Sequence, residues 1–128
     1  MERTKEIPAL SRVKWTNRID VPLLTVDLLS SRYGVPRFVK IDVEGYEEQV
    51  LSGMSFSPDF LSIEFHTSTL DMSCRCLTRL KGYEFNLILD EEPQFVGSDW
   101  LSSAEIIDWI ASYRGDKDFG DIVARRKR

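Results

Sequence analysis

Two segments of the chain alternate between apolar and polar residues, and in both the charge lies towards the C-terminal end. Residues 38–44 run Phe-Val-Lys-Ile-Asp-Val-Glu, and residues 60–66 run Phe-Leu-Ser-Ile-Glu-Phe-His. A period of two predicts β-strands in which every second side chain lies on the same face. The polar faces then carry Lys40, Asp42 and Glu44 on the first strand, and Ser62, Glu64 and His66 on the second. Because unpaired charge in a buried sheet is costly, these residues indicate a functional site.

Patterns elsewhere predict helices between further strands. The predicted strands span 37–43, 60–66, 83–89 and 120–124, with short extended pieces at 21–24 and 94–96. The first predicted helix begins at a cap on Thr25 or Asp27. Further helices are predicted at 46–52, 70–81 and 103–113, and Ser102 or Ser103 caps the last of them. This order predicts an α/β fold with a parallel sheet and right-handed crossovers.

Composition narrows the classes of protein that fit this pattern. The 128 residues are 42% hydrophobic and 30% charged, which is typical of one globular domain. A formal net charge of -4 argues against nucleic-acid binding driven by overall charge. No apolar run approaches the roughly 20 residues of a membrane-spanning helix. The first residues lack the apolar core of a secretion signal, so the expected location is cytoplasmic.

The two cysteines, Cys74 and Cys76, fall within the helix predicted at 70–81. Each helical residue turns by about 100°, so their side chains point about 200° apart. They therefore neither pair with each other nor share a metal ion, and we interpret them as reduced, structural residues.

The acidic residues and the histidine gather where an α/β sheet binds its ligands. In open sheets of this kind the site lies outside the carboxyl ends of the strands. If Ile41 pairs with Ile63 in parallel strands about 4.8 Å apart, Asp42 lies beside Glu64 and Glu44 beside His66. These residues would form one wall of a small-molecule site. A hydrolase or metal site is the weaker interpretation, because the ligands are too few for structural zinc and no serine occupies a nucleophile elbow.

Several blocks of the chain resemble the C-terminal part of the FkbM-type methyltransferases. The central block is K-x-D-x-E-G-x-E-x-x-V-L-x-G at 40–53, and it is followed by an E-x-H strand end at 64–66. A T-x-D-x helix start at 25–28 precedes them, and 100–102 and 120–125 resemble the family's last helix and strand. The resemblance covers about residues 21–125.

The resemblance implies an α/β fold with a partial Rossmann-like methyltransferase sheet, mostly parallel strands, flanking helices and an antiparallel last strand. Residues 21–125 would form the C-terminal part of the domain, after a polar lead-in at 1–20 and before a basic tail at 126–128. The cofactor implied is S-adenosylmethionine. Its glycine-rich loop is absent from the sequence and would belong to strands preceding residue 1, so we expect a fragment, a split gene or a decayed copy.

Methyl transfer to a hydroxyl needs two positioned partners and a group that takes a proton. We assign His66 as the base, because the unperturbed pKa of histidine lies near neutrality. Glu44 would orient it or contact substrate, Glu64 would complete the catalytic group, and Asp42 would lie near the methionine end of the cofactor. Alternatively, His66 is a hydrogen-bonded structural residue, and Asp42 and Glu64 satisfy buried backbone or hydroxyl groups. Lys40 is expected to neutralise the two acids next to it.

The expected partner is an acceptor with a hydroxyl group, either a small molecule or a glycan. The competing interpretation is a non-catalytic remnant that folds and associates without transferring a methyl group. In the implied sheet the first strand lies beside an absent neighbour, so its edge would carry unpaired backbone groups. We therefore expect self-association through this strand, pairing with an upstream half of the domain, or coverage of the edge by Val21 to Leu24.

Overall fold

The computed structural model describes residues 14, 16–90 and 92–128, so most of the predicted lead-in at 1–20 lies outside the described residues. The described residues form four helices and four strands, with a short 3₁₀ turn at Thr67–Thr69. In chain order they are α1 (Val26–Tyr33), β1 (Phe38–Ile41), α2 (Glu47–Ser52), β2 (Phe60–His66), α3 (Leu70–Arg79), β3 (Tyr83–Leu89), α4 (Ser103–Ser112) and β4 (Phe119–Arg126).

The strands form one mixed sheet in the order β1-β2-β4-β3. β1 and β2 are parallel with Ile41 opposite Ile63, which confirms the predicted register. β4 is antiparallel to both of its neighbours, β2 and β3, which confirms the antiparallel last strand. Because β4 lies between two strands that point the same way, only one neighbouring pair is parallel. The prediction of mostly parallel strands is therefore wrong for the pairing of neighbours. The predicted α/β class with flanking helices is confirmed.

The core lies between the sheet and the helices α2, α3 and α4. Leu61 and Phe65 of β2 are 0% and 1% exposed, and the apolar residues of α3 and α4 pack against the same cluster. The helices also contact one another, α2 with α3 and α3 with α4. Burial of this apolar surface is the main force that holds the sheet in place. In the part of the chain that the structure describes, no helix is long and apolar enough to cross a membrane.

β1 is shorter than the predicted strand at 37–43 and ends at Ile41. Glu44 and Gly45 have φ angles of 51° and 95°, in the left-handed region that an extended strand does not use. Asp42 and Glu44 therefore follow the strand instead of sharing a strand face with Lys40, which corrects the sequence interpretation. The alternation of residue types continues past the point where the backbone turns.

Other boundaries differ in smaller ways. The pieces predicted as extended at 21–24 and 94–96 belong to no strand. α3 ends at Arg79, and β4 runs to Arg126, so the first residue of the predicted basic tail lies in a strand. Thr25 caps α1, because its hydroxyl accepts a hydrogen bond of 3.1 Å from the Leu28 amide. The bounds of β2 and β3 match the predicted strands.

The two cysteines are free, as predicted. Cys76 is 1% exposed and belongs to the core between α3 and the sheet. Burial raises the pKa of the Cys76 thiol to about 11, so it remains protonated at neutral pH. A buried, protonated thiol fits the structural interpretation of this residue.

Candidate functional site

The turn between β1 and α2 places Glu44 beside the end of β2. The amide of Gly45 donates a hydrogen bond of 3.1 Å to Oε1 of Glu47, the first residue of α2. The Glu47 side chain is 2% exposed, so the turn is tied to a buried group. Glycine adopts φ angles above zero without strain, and Gly45 follows a glutamate that does so at some cost. The backbone thus returns towards the sheet with Glu44 at its tip.

Three side chains meet at the carboxyl ends of β1 and β2. One ligand atom each from Glu44, Glu64 and His66 lies within 4.8 Å of the other two. Nε2 of His66 is 3.6 Å from Oε2 of Glu64, and both side chains are 19% exposed. The sequence placed Glu44 beside His66, and the structure brings this pair together with Glu64 as a third member. We call these three residues the acid–imidazole cluster.

The cluster carries a concentration of negative charge around Glu64. Burial is the largest cause that raises the pKa of Glu64, which reaches about 7. The charges of Asp42, Glu44 and Asp121 act in the same direction, in that order of size. Lys40 opposes them. A carboxyl group with this pKa is about half protonated at neutral pH.

Lys40 forms its hydrogen bonds with Asp121 and not with Asp42 or Glu64, the two acids that the sequence predicts it to neutralise. Its ammonium donates hydrogen bonds of 2.9 Å to both carboxylate oxygens of Asp121 in β4. The hydroxyl of Ser62 donates a third, also 2.9 Å, to Oδ1 of the same carboxylate. Burial lowers the pKa of Lys40, but the hydrogen bond and the charge of Asp121 outweigh it and raise the pKa overall. Lys40 thus mainly neutralises Asp121, and it acts less strongly on Asp42 and Glu64 than predicted.

Asp121 is the site residue that sequence reasoning missed. It lies directly opposite Glu64 in the antiparallel pair of β2 and β4. The signal was a single acid in an otherwise apolar strand segment, Gly120 to Ala124. Recognising it required the order of the strands, because only the insertion of β4 beside β2 brings Asp121 next to the cluster.

Asp42 lies at the margin of the site. It is exposed and follows β1, and it is not among the three residues whose ligand atoms converge. Its charge still raises the pKa of Glu64, so it lies close enough to affect the cluster. Among the four predicted site residues, the structure thus groups Glu44, Glu64 and His66 and leaves Asp42 beside them.

A cleft of about 600 Å³ lies at the other end of the sheet. It is lined by Arg37 and Phe60 at the starts of β1 and β2 and by the basic residues at the end of β4. Arg37 pairs with Asp59 at 2.9 Å, and Arg125 pairs with Glu84 at 2.8 Å, so part of the positive charge is neutralised within the cleft. This cleft shares no residue with the acid–imidazole cluster.

An α/β sheet with polar groups at the carboxyl ends of parallel strands is the arrangement of many enzymes that bind small molecules. The chain belongs to the FkbM methyltransferase family, since the profile of the methyltransferase FkbM domain matches residues 2–117. This confirms the family that the sequence blocks resemble. No curated protein and no solved structure matched the chain.

Proposed function

We propose that this domain transfers a methyl group from S-adenosylmethionine to a hydroxyl of a small molecule or glycan. Membership of the FkbM methyltransferase family supports methyl transfer. The observation that carries the choice of a hydroxyl acceptor is the convergence of Glu44, Glu64 and His66 within 4.8 Å. A hydroxyl must lose its proton during the transfer, and an imidazole flanked by carboxylates suits that task.

The proton balance assigns a task to His66. S-adenosylmethionine supplies an electrophilic methyl group. Transfer would join the methyl group to the acceptor oxygen and release S-adenosylhomocysteine, and the hydroxyl proton would pass to a ring nitrogen of His66. Glu64, with Oε2 3.6 Å from Nε2, stabilises the imidazolium that results. Glu44 is exposed at the tip of its turn, where it can contact the acceptor or orient the ring.

The remaining assignments concern the cofactor. Asp42 follows β1 and lies outside the converging set of three, and we propose that it contacts the methionine part of S-adenosylmethionine. The antiparallel β4 and the parallel pair of β1 and β2 support a Rossmann-like methyltransferase sheet in which these are the last four strands. Such a sheet places its cofactor at the carboxyl ends of the strands.

The test measures release of S-adenosylhomocysteine, which reports transfer whichever acceptor is used. The protein is incubated with excess S-adenosylmethionine and hydroxylated sugars, polyketides, lipids and peptides. We expect release that depends on one acceptor class. We expect His66→Ala to lower turnover by about 10² to 10⁴, the usual range for a lost general base. Ser68→Ala is the matched control, because this exposed residue lies two positions away and outside the cluster.

A second candidate function is association without catalysis. It is favoured by β1, which forms one edge of the sheet and carries Phe38 at 54% exposure. No acceptor-dependent release from the unmodified protein, together with concentration-dependent assembly, would favour this candidate. Normal turnover of His66→Ala would instead retain methyl transfer and return His66 to a structural role.

A further inference from the structure

The acid–imidazole cluster offers a mixed set of metal ligands. Glu64 and His66 are two residues apart on β2, so their side chains project from the same face of the strand. Glu44 comes from the turn after β1. The set contains two carboxylates and one ring nitrogen, each with an atom within 4.8 Å of the others. Ligands of both kinds on separate elements can surround an ion.

The charge around the cluster also favours a cation. Asp42, Glu44 and Asp121 all act on Glu64 as negative charges. Lys40 is the cation that opposes them, but its ammonium hydrogen bonds go to both oxygens of Asp121 at 2.9 Å. Among the described residues, no ion pair joins Asp42 or Glu44 to a lysine or an arginine, and a bound divalent ion would supply a close positive charge.

We propose that Glu44, Glu64 and His66 bind a divalent transition-metal ion. Carboxylate oxygens alone suit Mg²⁺ and Ca²⁺, whereas an imidazole nitrogen shifts the preference towards Mn²⁺, Fe²⁺, Co²⁺ or Zn²⁺. Bonds of about 2.1 Å place ligand atoms roughly 3 Å apart, so atoms that now lie within 4.8 Å of one another approach by up to about 2 Å around the ion. The exposed Glu44 side chain has the freedom to make this movement.

Three protein ligands leave coordination positions open for water or substrate. A closed structural zinc site has four protein ligands, so three are too few for it. An open site normally has three protein ligands and keeps a position for water or substrate. In the transferase proposed above, on which this consequence rests, a ligated ring nitrogen has no lone pair for a proton. The ion-bound state and the proton-accepting state of His66 therefore exclude each other, and the ion regulates the site. Binding itself does not depend on that function.

The sequence contains one histidine, which makes the test specific. The full chain, without a histidine tag, is titrated with Mn²⁺ while the ring signals of His66 are followed by NMR. Co²⁺ absorption then gives the affinity, in the absence of S-adenosylmethionine and acceptor. We expect Mn²⁺ to broaden the His66 signals selectively at low occupancy. We expect His66→Ala and Glu44→Gln each to weaken Co²⁺ binding at least about tenfold, as even losses outside the ligand set often do.

Asp42→Asn is the matched control for Glu44→Gln. Both variants remove one negative charge near Glu64, but Asp42 is outside the converging set. Coordination predicts a much larger loss of affinity from Glu44→Gln. Equal losses from the two variants, or His66 signals that Mn²⁺ leaves unchanged, would overturn the proposal and show diffuse attraction only. Circular dichroism confirms that each variant is folded, and these results stand whether or not methyl transfer is found.

Discussion

At the scale of single residues, Gly120 is a position where an added side chain would meet the backbone of a neighbouring strand. It lies in β4 between Phe65 of β2 and Leu89 of β3. A Cβ at this position would overlap the carbonyl oxygen of Ile88 and lie 3.0 Å from the Phe65 ring. Neither neighbour has room to move, because one is backbone and the other is 1% exposed. A methyl group here must displace a strand.

Gly120→Ala should therefore lower the free energy of unfolding by about 3 kcal/mol, at the upper end of overpacking in a core. Gly97→Ala is the control, since a Cβ there meets nothing nearer than the Asp99 amide at 4.0 Å. Urea denaturation of the two variants measures the difference. Similar stability of both would show that the strands at Gly120 adjust without cost.

A second prediction at this scale concerns Glu44 and His66 in methyl transfer. If the two act as a unit, removing either destroys the same function, so their effects do not add. The double variant Glu44→Gln/His66→Ala should then turn over no more slowly than His66→Ala alone. Turnover is measured with the acceptor identified by S-adenosylhomocysteine release. Losses that multiply would assign Glu44 an independent contact with substrate.

Sequence reasoning found the site residues that share a strand, and it missed Asp121, which joins the site only through strand pairing. Glu64 and His66 share a strand face, so the alternation alone places them together. Glu44 reached the cluster through a left-handed turn that the alternation does not encode. Asp121 lies 57 residues beyond Glu64 and joins it only through strand order. Local pattern thus predicts neighbours within an element and leaves pairing across the sheet undetermined.

At the scale of elements, α4 has the most complete start. The Ser102 hydroxyl accepts a hydrogen bond of 3.3 Å from the Glu105 amide, and Oε2 of Glu105 accepts one of 2.8 Å from the Ser102 amide. This capping box satisfies two amides that the helix itself leaves without partners. The sequence left Ser102 and Ser103 as alternative caps, and the structure selects Ser102.

Ser102→Ala should lower the free energy of unfolding by about 1 kcal/mol, the usual cost of a lost N-cap. Ser103→Ala is the matched control, because Ser103 is the first residue inside the helix and alanine is well accepted there. Thermal and urea unfolding of the pair measure the difference. An equal effect of both substitutions would mean that the cap does not stabilise the helix.

The same capping box predicts a dependence of stability on pH. Hydrogen bonds from the Ser102 backbone, and then from its side chain, lower the pKa of Glu105. A group with a lowered pKa in the folded state stabilises the fold above its unfolded pKa and loses this contribution as the pH falls through the folded pKa. Glu105→Gln should therefore be less stable than the unmodified protein at neutral pH. The two should converge in acid, as measured by urea unfolding across pH.

At the scale of the whole molecule, β1 is an outer strand of the sheet, and no described strand pairs with its outer edge, which we call the open edge. The carbonyl of Arg37 accepts a hydrogen bond of 3.0 Å from the Phe60 amide, so Arg37 faces β2. Alternate residues of a parallel strand face the same neighbour, which turns the amides of Phe38 and Lys40 towards the open edge. Exposed apolar residues, with Tyr33 at 77% and Val35 at 62%, lie close to this strand in the chain.

Open edges with apolar neighbours recruit other strands, and we expect two copies of the chain to pair through β1. Hydrogen exchange of the Phe38 and Lys40 amides should slow as protein concentration rises. Phe38→Lys should reduce this protection, whereas Val96→Lys, at a residue of similar partial exposure elsewhere, should not. Exchange that is fast at every concentration would show an edge covered only by water.

The position of β4 between β2 and β3 has a consequence for how the protein is made. A ribosome releases residues 60–89 before residues 119–126, so the first two of these strands emerge without the strand that joins them. During that interval β2 lacks its partner on one side, and β3 lacks the only named strand with which it pairs. The nascent chain thus exposes strand edges until β4 is synthesised, and a chaperone would limit aggregation at that stage.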